Sequence, residues 1–327
     1  MARKEIINRA FRLFLPGAAF VLAIALLGGC VGSGRDSPAS ATPDASSPVG
    51  QTASKTFGII YPIAYTTYET ITEQAKAAAE SRNVSLIVNA PDEANTEQQI
   101  RIMESMIKQE VDGIAISPVD AAALSPVIRK ATAAGIPVIT FESDAPKSGR
   151  TAYIGADNYV TGRQFAITIS NLLGNKGMII VETGMQEMLG LHQRLEGLLD
   201  YLDKESSIEV LEVRYNQGSE DRAMADIESM INAHPHFSAM VSLDVVSTSV
   251  ATLIWKAKGL DRISLSMGNN PTSTEALQNG QLTAVISQNE QDWGRAIVET
   301  LLEVSEGQKV PEFTDMGIKE IRKEDVE

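Results

Sequence analysis

One cysteine and three histidines in 327 residues leave several chemistries without material. A single thiol pairs with nothing inside its own chain, so a disulfide framework is excluded. A cysteine-based zinc site is excluded for the same reason, and three histidines offer little for an imidazole-based one. Basic residues are scarce, 28 Lys and Arg against 42 Asp and Glu, for a net charge of −14. Phosphate backbones are held by clustered Lys and Arg, so a nucleic-acid partner is not expected. There is no G-x-G-x-x-G after a strand, no phosphate-cradling G-x-x-x-x-G-K-[ST], no H-E-x-x-H and no G-x-S-x-G. No acidic stretch fits a calcium loop of the EF-hand kind. The chain therefore offers no catalytic signature, no metal site and no cofactor motif. What remains is ordinary globular material, 43% hydrophobic and 21% charged. It is long enough for roughly two domains of about 150 residues each.

The amino terminus is an address. Arg3, Lys4, Arg9 and Arg12 precede an apolar run from Phe14 to Leu27. That is the layout of a secretory signal peptide, too short for a comfortable membrane span. The run ends in Leu27-Gly28-Gly29-Cys30, which resembles a bacterial lipobox. Residues 1–29 are expected to be removed and Cys30 to carry lipid. Acyl chains contribute about 0.8 kcal/mol per buried CH₂, so several together make a lasting anchor. Residues 30–54 are rich in Ser, Ala, Gly, Pro and Thr and read as a flexible tether. The protein is expected to be exported and lipid-anchored to the cell membrane, in a periplasm or at the cell surface.

From Lys55 onward short apolar runs alternate with segments of helical period. Strands are predicted at Thr56–Tyr61, Val84–Asn89, Gly113–Ser117, Pro137–Phe141 and Tyr153–Ala156. After the helix Asn158–Leu173 the rhythm repeats, with strands at Gly177–Glu182, Ile208–Tyr215, Ala239–Leu243, Ile263–Met267 and Thr283–Ser287. Helices are predicted between them, among them Leu124–Ala134, His192–Glu205 and Ser247–Lys258. Continuous apolar strands alternating with helices argue for parallel sheets covered on both faces. So many strands suit two doubly wound α/β lobes better than one sheet. Ligands in such sheets bind beyond the carboxyl ends of the strands.

The residues at those ends are Tyr61, Tyr65 and Tyr68, Ser117 to Asp120, Glu142-Ser143-Asp144, Asp157-Asn158, Asn269-Asn270 and Gln288-Asn289, with Arg194 in the first turn of a helix. Planar polar side chains with paired donors and acceptors suit a small polyhydroxylated ligand, and aromatic rings suit its C–H faces. Trp255 reads as packing. Trp293 reads equally as packing or as cleft-facing. Met178, Met185 and Met188 read as core or loop fillers.

The order and spacing of Thr56-Phe57-Gly58-Ile59-Ile60, Val111-Asp112-Gly113-Ile114-Ala115-Ile116-Ser117-Pro118, Ala134-Gly135-Ile136-Pro137-Val138-Ile139-Thr140-Phe141, Ile154-Gly155-Ala156-Asp157-Asn158 and Arg194-Leu195-Glu196-Gly197 resemble the type I periplasmic binding proteins of the ribose-binding kind. These are the substrate-capturing subunits of ABC importers. The resemblance implies two lobes joined by a three-strand hinge, residues 55–157 plus about 289–316 and residues 158–288 plus about 317–327, closing on a ligand between them. It implies a monomer that binds a small solute, most readily a sugar, and meets an ABC permease. Carried over, it gives a ligand set of Tyr61, Tyr65, Tyr68, Ser117, Glu142, Ser143, Asp144, Asn158, Arg194, Asp244, Asn269 and Gln288. Two positions depart from the sugar binders. Leu243 precedes Asp244 where they have Asn, and Gly268 precedes Asn269 where they have Asp. A one-residue shift brings Asp244 or Asn269 into those roles; otherwise polyols, nucleosides and furanosyl signals stay open as ligands. A ligand-sensing subunit for a histidine kinase or chemoreceptor would carry the same lobes. An exported enzyme would need an activated nucleophile or acid–base pair, which the chain does not display.

Overall fold

The computed structural model describes residues 54–326. The expected leader, Cys30 and nearly all of the tether lie outside the described residues. The first lobe runs β1 (Thr56–Ile60), α1 (Thr67–Ser81), β2 (Ser85–Asn89), α2 (Thr96–Lys108), β3 (Gly113–Ile116), α3 (Ala121–Ala133), β4 (Val138–Phe141) and β5 (Ala152–Gly155). The second runs α4 (Asn158–Leu173), β6 (Lys176–Thr183), α5 (Leu189–Glu205), β7 (Ser207–Tyr215), α6 (Glu220–Ala233), β8 (Ala239–Ser242), α7 (Val245–Lys258), β9 (Ile263–Met267), α8 (Pro271–Gln278) and β10 (Ala284–Ser287). The chain then returns with α9 (Trp293–Ser305) and adds β11 (Phe313–Asp315) and β12 (Lys319–Ile321).

The two sheets have the orders β11-β5-β4-β3-β1-β2 and β12-β10-β9-β8-β6-β7. Every pairing is parallel except that of β12 with β10. Strands β3, β4, β5, β8 and β10 are buried at every residue, as sheets covered on both faces require. The chain passes between the sheets three times: from β5 into α4, from β10 into α9, and from β11 into β12. Helix α9 packs on α1 and on the first sheet.

The alternation of strand and helix follows the sequence reading, and the three helices named there, expected from Leu124, His192 and Ser247, each start earlier. Helix α3 begins at Ala121, because the Asp120 carboxylate caps it by accepting from the Ala122 and Ala123 amides, both at 2.9 Å. Helix α7 begins at Val245, with Asp244 as its cap and a reciprocal bond to Ser247. Helix α5 begins at Leu189 with no side-chain cap, so Arg194 stands in its second turn rather than its first.

What fixes Arg194 is a close helix crossing. A Cβ at Gly162 on α4 would meet the Arg194 carbonyl oxygen, and one at Gly197 on α5 would meet the Tyr159 carbonyl oxygen. The two backbones touch where both residues lack a side chain. Gly197→Val should push α5 off α4 and carry Arg194 with it. Overpacking typically costs 1–3 kcal/mol, and a clash with backbone belongs at the top of that range, about 3 kcal/mol. A lowered melting midpoint by circular dichroism, together with weakened ligand binding, checks this.

Candidate functional site

The carboxyl ends of both sheets converge on a cavity of about 30 Å³, lined by residues of both lobes and of the β10–α9 crossing. Such a volume holds only a water or two, so the lobes are closed on it.

Glu142 follows β4 in a left-handed conformation, φ +62°, which is uncommon for a side chain of this kind. Its carboxylate accepts from the Tyr68 hydroxyl at 3.0 and 3.1 Å and from Ser117 Oγ at 2.8 Å. Burial raises the Glu142 pKa, opposed by the Ser117 hydrogen bond and by the nearby charge of Arg194. Tyr68 stacks on Tyr61 with ring centroids 4.7 Å apart, and the Tyr61 hydroxyl accepts from Thr72 Oγ1 at 2.9 Å. Burial pushes the Tyr61 hydroxyl up to about 12 and raises that of Tyr68 as well, so both phenols are neutral at ordinary pH.

Arg194 is buried and donates from Nε and Nη2 to Asn158 Oδ1 at 3.2 and 2.7 Å, and from Nη1 to the Leu243 carbonyl at 2.5 Å. Among the described residues no carboxylate forms an ion pair with it. Burial lowers its pKa, opposed by Glu142 and then by Tyr153, Glu290 and Asp244. A guanidinium has five N–H donors, so two remain for the cavity. Asn158 joins the two lobes and the crossing. Its amide donates to the Glu142 carbonyl at 3.0 Å, and its oxygen also accepts from Gln288 Nε2 at 3.0 Å. Gln288 Nε2 reaches Thr161 Oγ1 at 2.8 Å as well, but Gln288 Oε1 is buried with no partner. A buried acceptor without a donor is costly, and this one belongs to a residue that lines the cavity.

The remaining expected residues divide. Asp244 lines the cavity, but its carboxylate accepts from Asn216 Nδ2 at 3.2 Å, from the Val246 amide at 3.1 Å and from the Ser247 hydroxyl. Burial raises its pKa. Tyr61 stands behind Tyr68 and does not line the cavity. Tyr65 Oη donates to Glu220 Oε1 at 2.8 Å and Ser143 Oγ accepts from the Gly190 amide at 3.0 Å, so both bond one lobe to the other. Asp144 is held by Arg150 through Nε and Nη2, each at 2.7 Å, and by Thr140 Oγ1 at 2.6 Å. Asn269 makes no side-chain hydrogen bond among the described residues and stands outside the cavity lining.

Residues not expected there also line it. Glu290, from the β10–α9 crossing, accepts from Ser287 Oγ at 2.6 Å and from the Gln288 amide at 3.0 Å. Met185 and Met188 belong to the β6–α5 connection and stand on the cavity wall. The strand-end rule that singled out the polar residues applies equally to these two. Trp293 takes both of its readings: it lines the cavity, and it packs edge-on against Phe141 while donating from Nε1 to the Gln288 carbonyl at 3.1 Å. Trp255 packs on Phe237 and donates to the Arg262 carbonyl at 2.9 Å. Among the described residues no group of three or more His, Cys, Asp or Glu is placed to hold a metal ion, and no helix is long and apolar enough to cross a membrane.

The chain matches the periplasmic binding protein domain family over residues 57–309. It belongs to that family. As a member it is a solute-binding protein and not an enzyme. It is 21% identical over 234 residues to the ribose import binding protein of Bacillus subtilis strain 168, covering 72% of this chain and 75% of that one. It is 25% identical over 238 residues to the D-ribose/D-allose-binding protein of Pseudomonas aeruginosa, covering 70% and 74%. A crystal structure of an ABC transporter solute-binding protein from Burkholderia graminis, in complex with D-arabinose, superposes with a TM-score of 0.79. It has 26% identity and covers 84% of this chain and 98% of that one.

Behind the second lobe's wall lies a further buried carboxyl. Glu182 on β6 is in register with Ser242 on β8, which is in register with Ser266 on β9. Neither Glu182 oxygen has a partner. Burial, and then the charges of Asp244 and Asp226, push its pKa to about 9 from 4.5. The unfolded chain releases this proton near 4.5 while the folded chain keeps it to about 9, so stability falls as pH rises through that window. Glu142 and Asp244 act with the same sign. Glu182→Gln should therefore raise the melting midpoint at pH 9 and make its decline between pH 5 and pH 9 shallower. Scanning calorimetry at constant ionic strength checks both.

Proposed function

We propose that the chain is the solute-capturing subunit of an ABC importer and that it closes its lobes on a small sugar. The observation that carries this is the group of Glu142, Arg194 and Gln288 at the cavity between the lobes, with two guanidinium donors and one orphaned amide oxygen left for a ligand. Carboxylate, guanidinium and amide each bind a hydroxyl as donor or acceptor, which suits the sugars bound by the relatives named above. The moving units are residues 55–157 plus about 289–316 and residues 158–288 plus about 317–327. A ligand that contacts both favours the closed form by its differential affinity for it. Cys30 holds the protein to the membrane by lipid, residues 30–54 give it reach, and it works as a monomer facing a permease. Titration calorimetry of the full chain in mild detergent against pentoses and hexoses tests the reading. Binding of at least one, lost in Arg194→Ala, is the expected result. No heat from any sugar, with a folded protein, overturns it.

A further inference from the structure

The wall contributed by the second lobe is apolar. Met185, Met188, Leu191, Val245, Val246 and Met267 form it. Among the described residues the polar side chains that this lobe brings to the lining are Arg194, Asp244 and Gln288, and the Asp244 carboxylate already accepts from Asn216, Val246 and Ser247. The free hydrogen-bonding capacity therefore gathers at one end, around Glu142, Arg194 and Gln288. A ring hydroxyl pressed against the methionine wall would lose its water and gain no partner. A methyl or methylene group in the same place gains apolar burial and contact with sulfur. Methionine is unbranched and turns about three bonds, so this wall yields room to an entering ligand without supplying a polar atom.

We propose, resting on the sugar-binding reading above, that the cleft selects a deoxy sugar, with its hydroxyls along one edge on Glu142, Arg194 and Gln288 and its deoxygenated carbon on the methionine wall. The polar groups at one end serve two or three hydroxyls, and a fully hydroxylated hexose brings more than the site can satisfy. Met188 is the selectivity residue, since a polar side chain in its place would give the far hydroxyl a partner.

The test is titration calorimetry of the full chain in mild detergent with matched pairs: D-galactose and 6-deoxy-D-galactose, D-glucose and 6-deoxy-D-glucose, L-mannose and 6-deoxy-L-mannose, D-ribose and 5-deoxy-D-ribose. The expected result is that, in every pair that binds, the deoxy member binds at least tenfold more tightly, which is about 1.4 kcal/mol. Met188→Gln, with an unchanged melting midpoint, should shrink that ratio to threefold or less. Parent sugars binding as tightly as their deoxy partners overturn the deoxy selectivity and leave the sugar-binding reading standing. A ratio unchanged in folded Met188→Gln overturns the assignment of selectivity to this wall. No binding by either member of any pair overturns both readings.

Discussion

Arg194→Ala should reduce affinity for the bound sugar by about 100-fold or more. Among the described residues Arg194 is the one cation lining the cavity, and three of its five donors are fixed on Asn158 and Leu243. The two left over are charge-assisted, and hydrogen bonds of that kind contribute roughly 1.5–3 kcal/mol each. Losing two of them at the lower end is about 3 kcal/mol, hence the hundredfold. The truncation also strands the Leu243 carbonyl and leaves Asn158 Oδ1 with Gln288 alone, a destabilisation of about 1–3 kcal/mol. Arg194→Lys should not restore binding, because an ammonium on a flexible stem cannot reproduce the planar fork that reaches Asn158 and the ligand together. Calorimetric affinities alongside melting midpoints separate the two effects. Full affinity in Arg194→Ala would remove this residue from the site.

Arg150→Ala should destabilise the protein by about 3–5 kcal/mol and leave sugar affinity unchanged. The Arg150 and Asp144 side chains are 7% and 16% exposed and meet through two short bonds. Asp144 holds the guanidinium charged more firmly than usual. Removing one partner leaves the other as a buried, uncompensated charge, which is the expensive way to break such a pair. Arg150 also donates to the Glu312 carbonyl at 3.3 Å, next to β11, so the variant loosens that edge strand too. At roughly 2–4 °C per kcal/mol for a domain of this size, the midpoint should fall by roughly 6–20 °C. Replacing both residues by apolar ones of similar volume should recover much of the loss, since well-packed substitutes for buried ion pairs are often neutral. A midpoint in Arg150→Ala within a degree of the parent would contradict this account of the pair.

These two arginines show where the sequence was informative and where it was not. The alternation of strand and helix was legible because the strands are buried on both faces and read as unbroken apolar runs. Strands β11 and β12 were not, since three residues each, partly exposed, carry no period to detect. Glu142, Asn158, Arg194 and Gln288 were legible as polar groups near strand ends, and the fold does bring them together. Asp144 and Asp244 look alike in sequence, both following a strand. Their carboxylates are taken by different neighbours, Asp144 by Arg150 and Asp244 by the start of α7, and such pairing is settled by three-dimensional packing. Met185 and Met188 follow a strand as the polar residues do, but the sequence was read there for hydrogen-bonding groups, so their place in the wall emerged only with the cavity.

The central claim is that sugar is held by closure of two lobes. Glu69 on α1 and Thr272 on α8 are exposed and face a common groove at the mouth between the lobes. With Cys30→Ser, E69C and T272C carrying spin labels, dipolar spectroscopy reads the distance between those lips. The account predicts a longer, broader distribution without sugar, narrowing to a single short distance when a sugar found by calorimetry saturates the protein. A distribution unmoved by saturating sugar would contradict it.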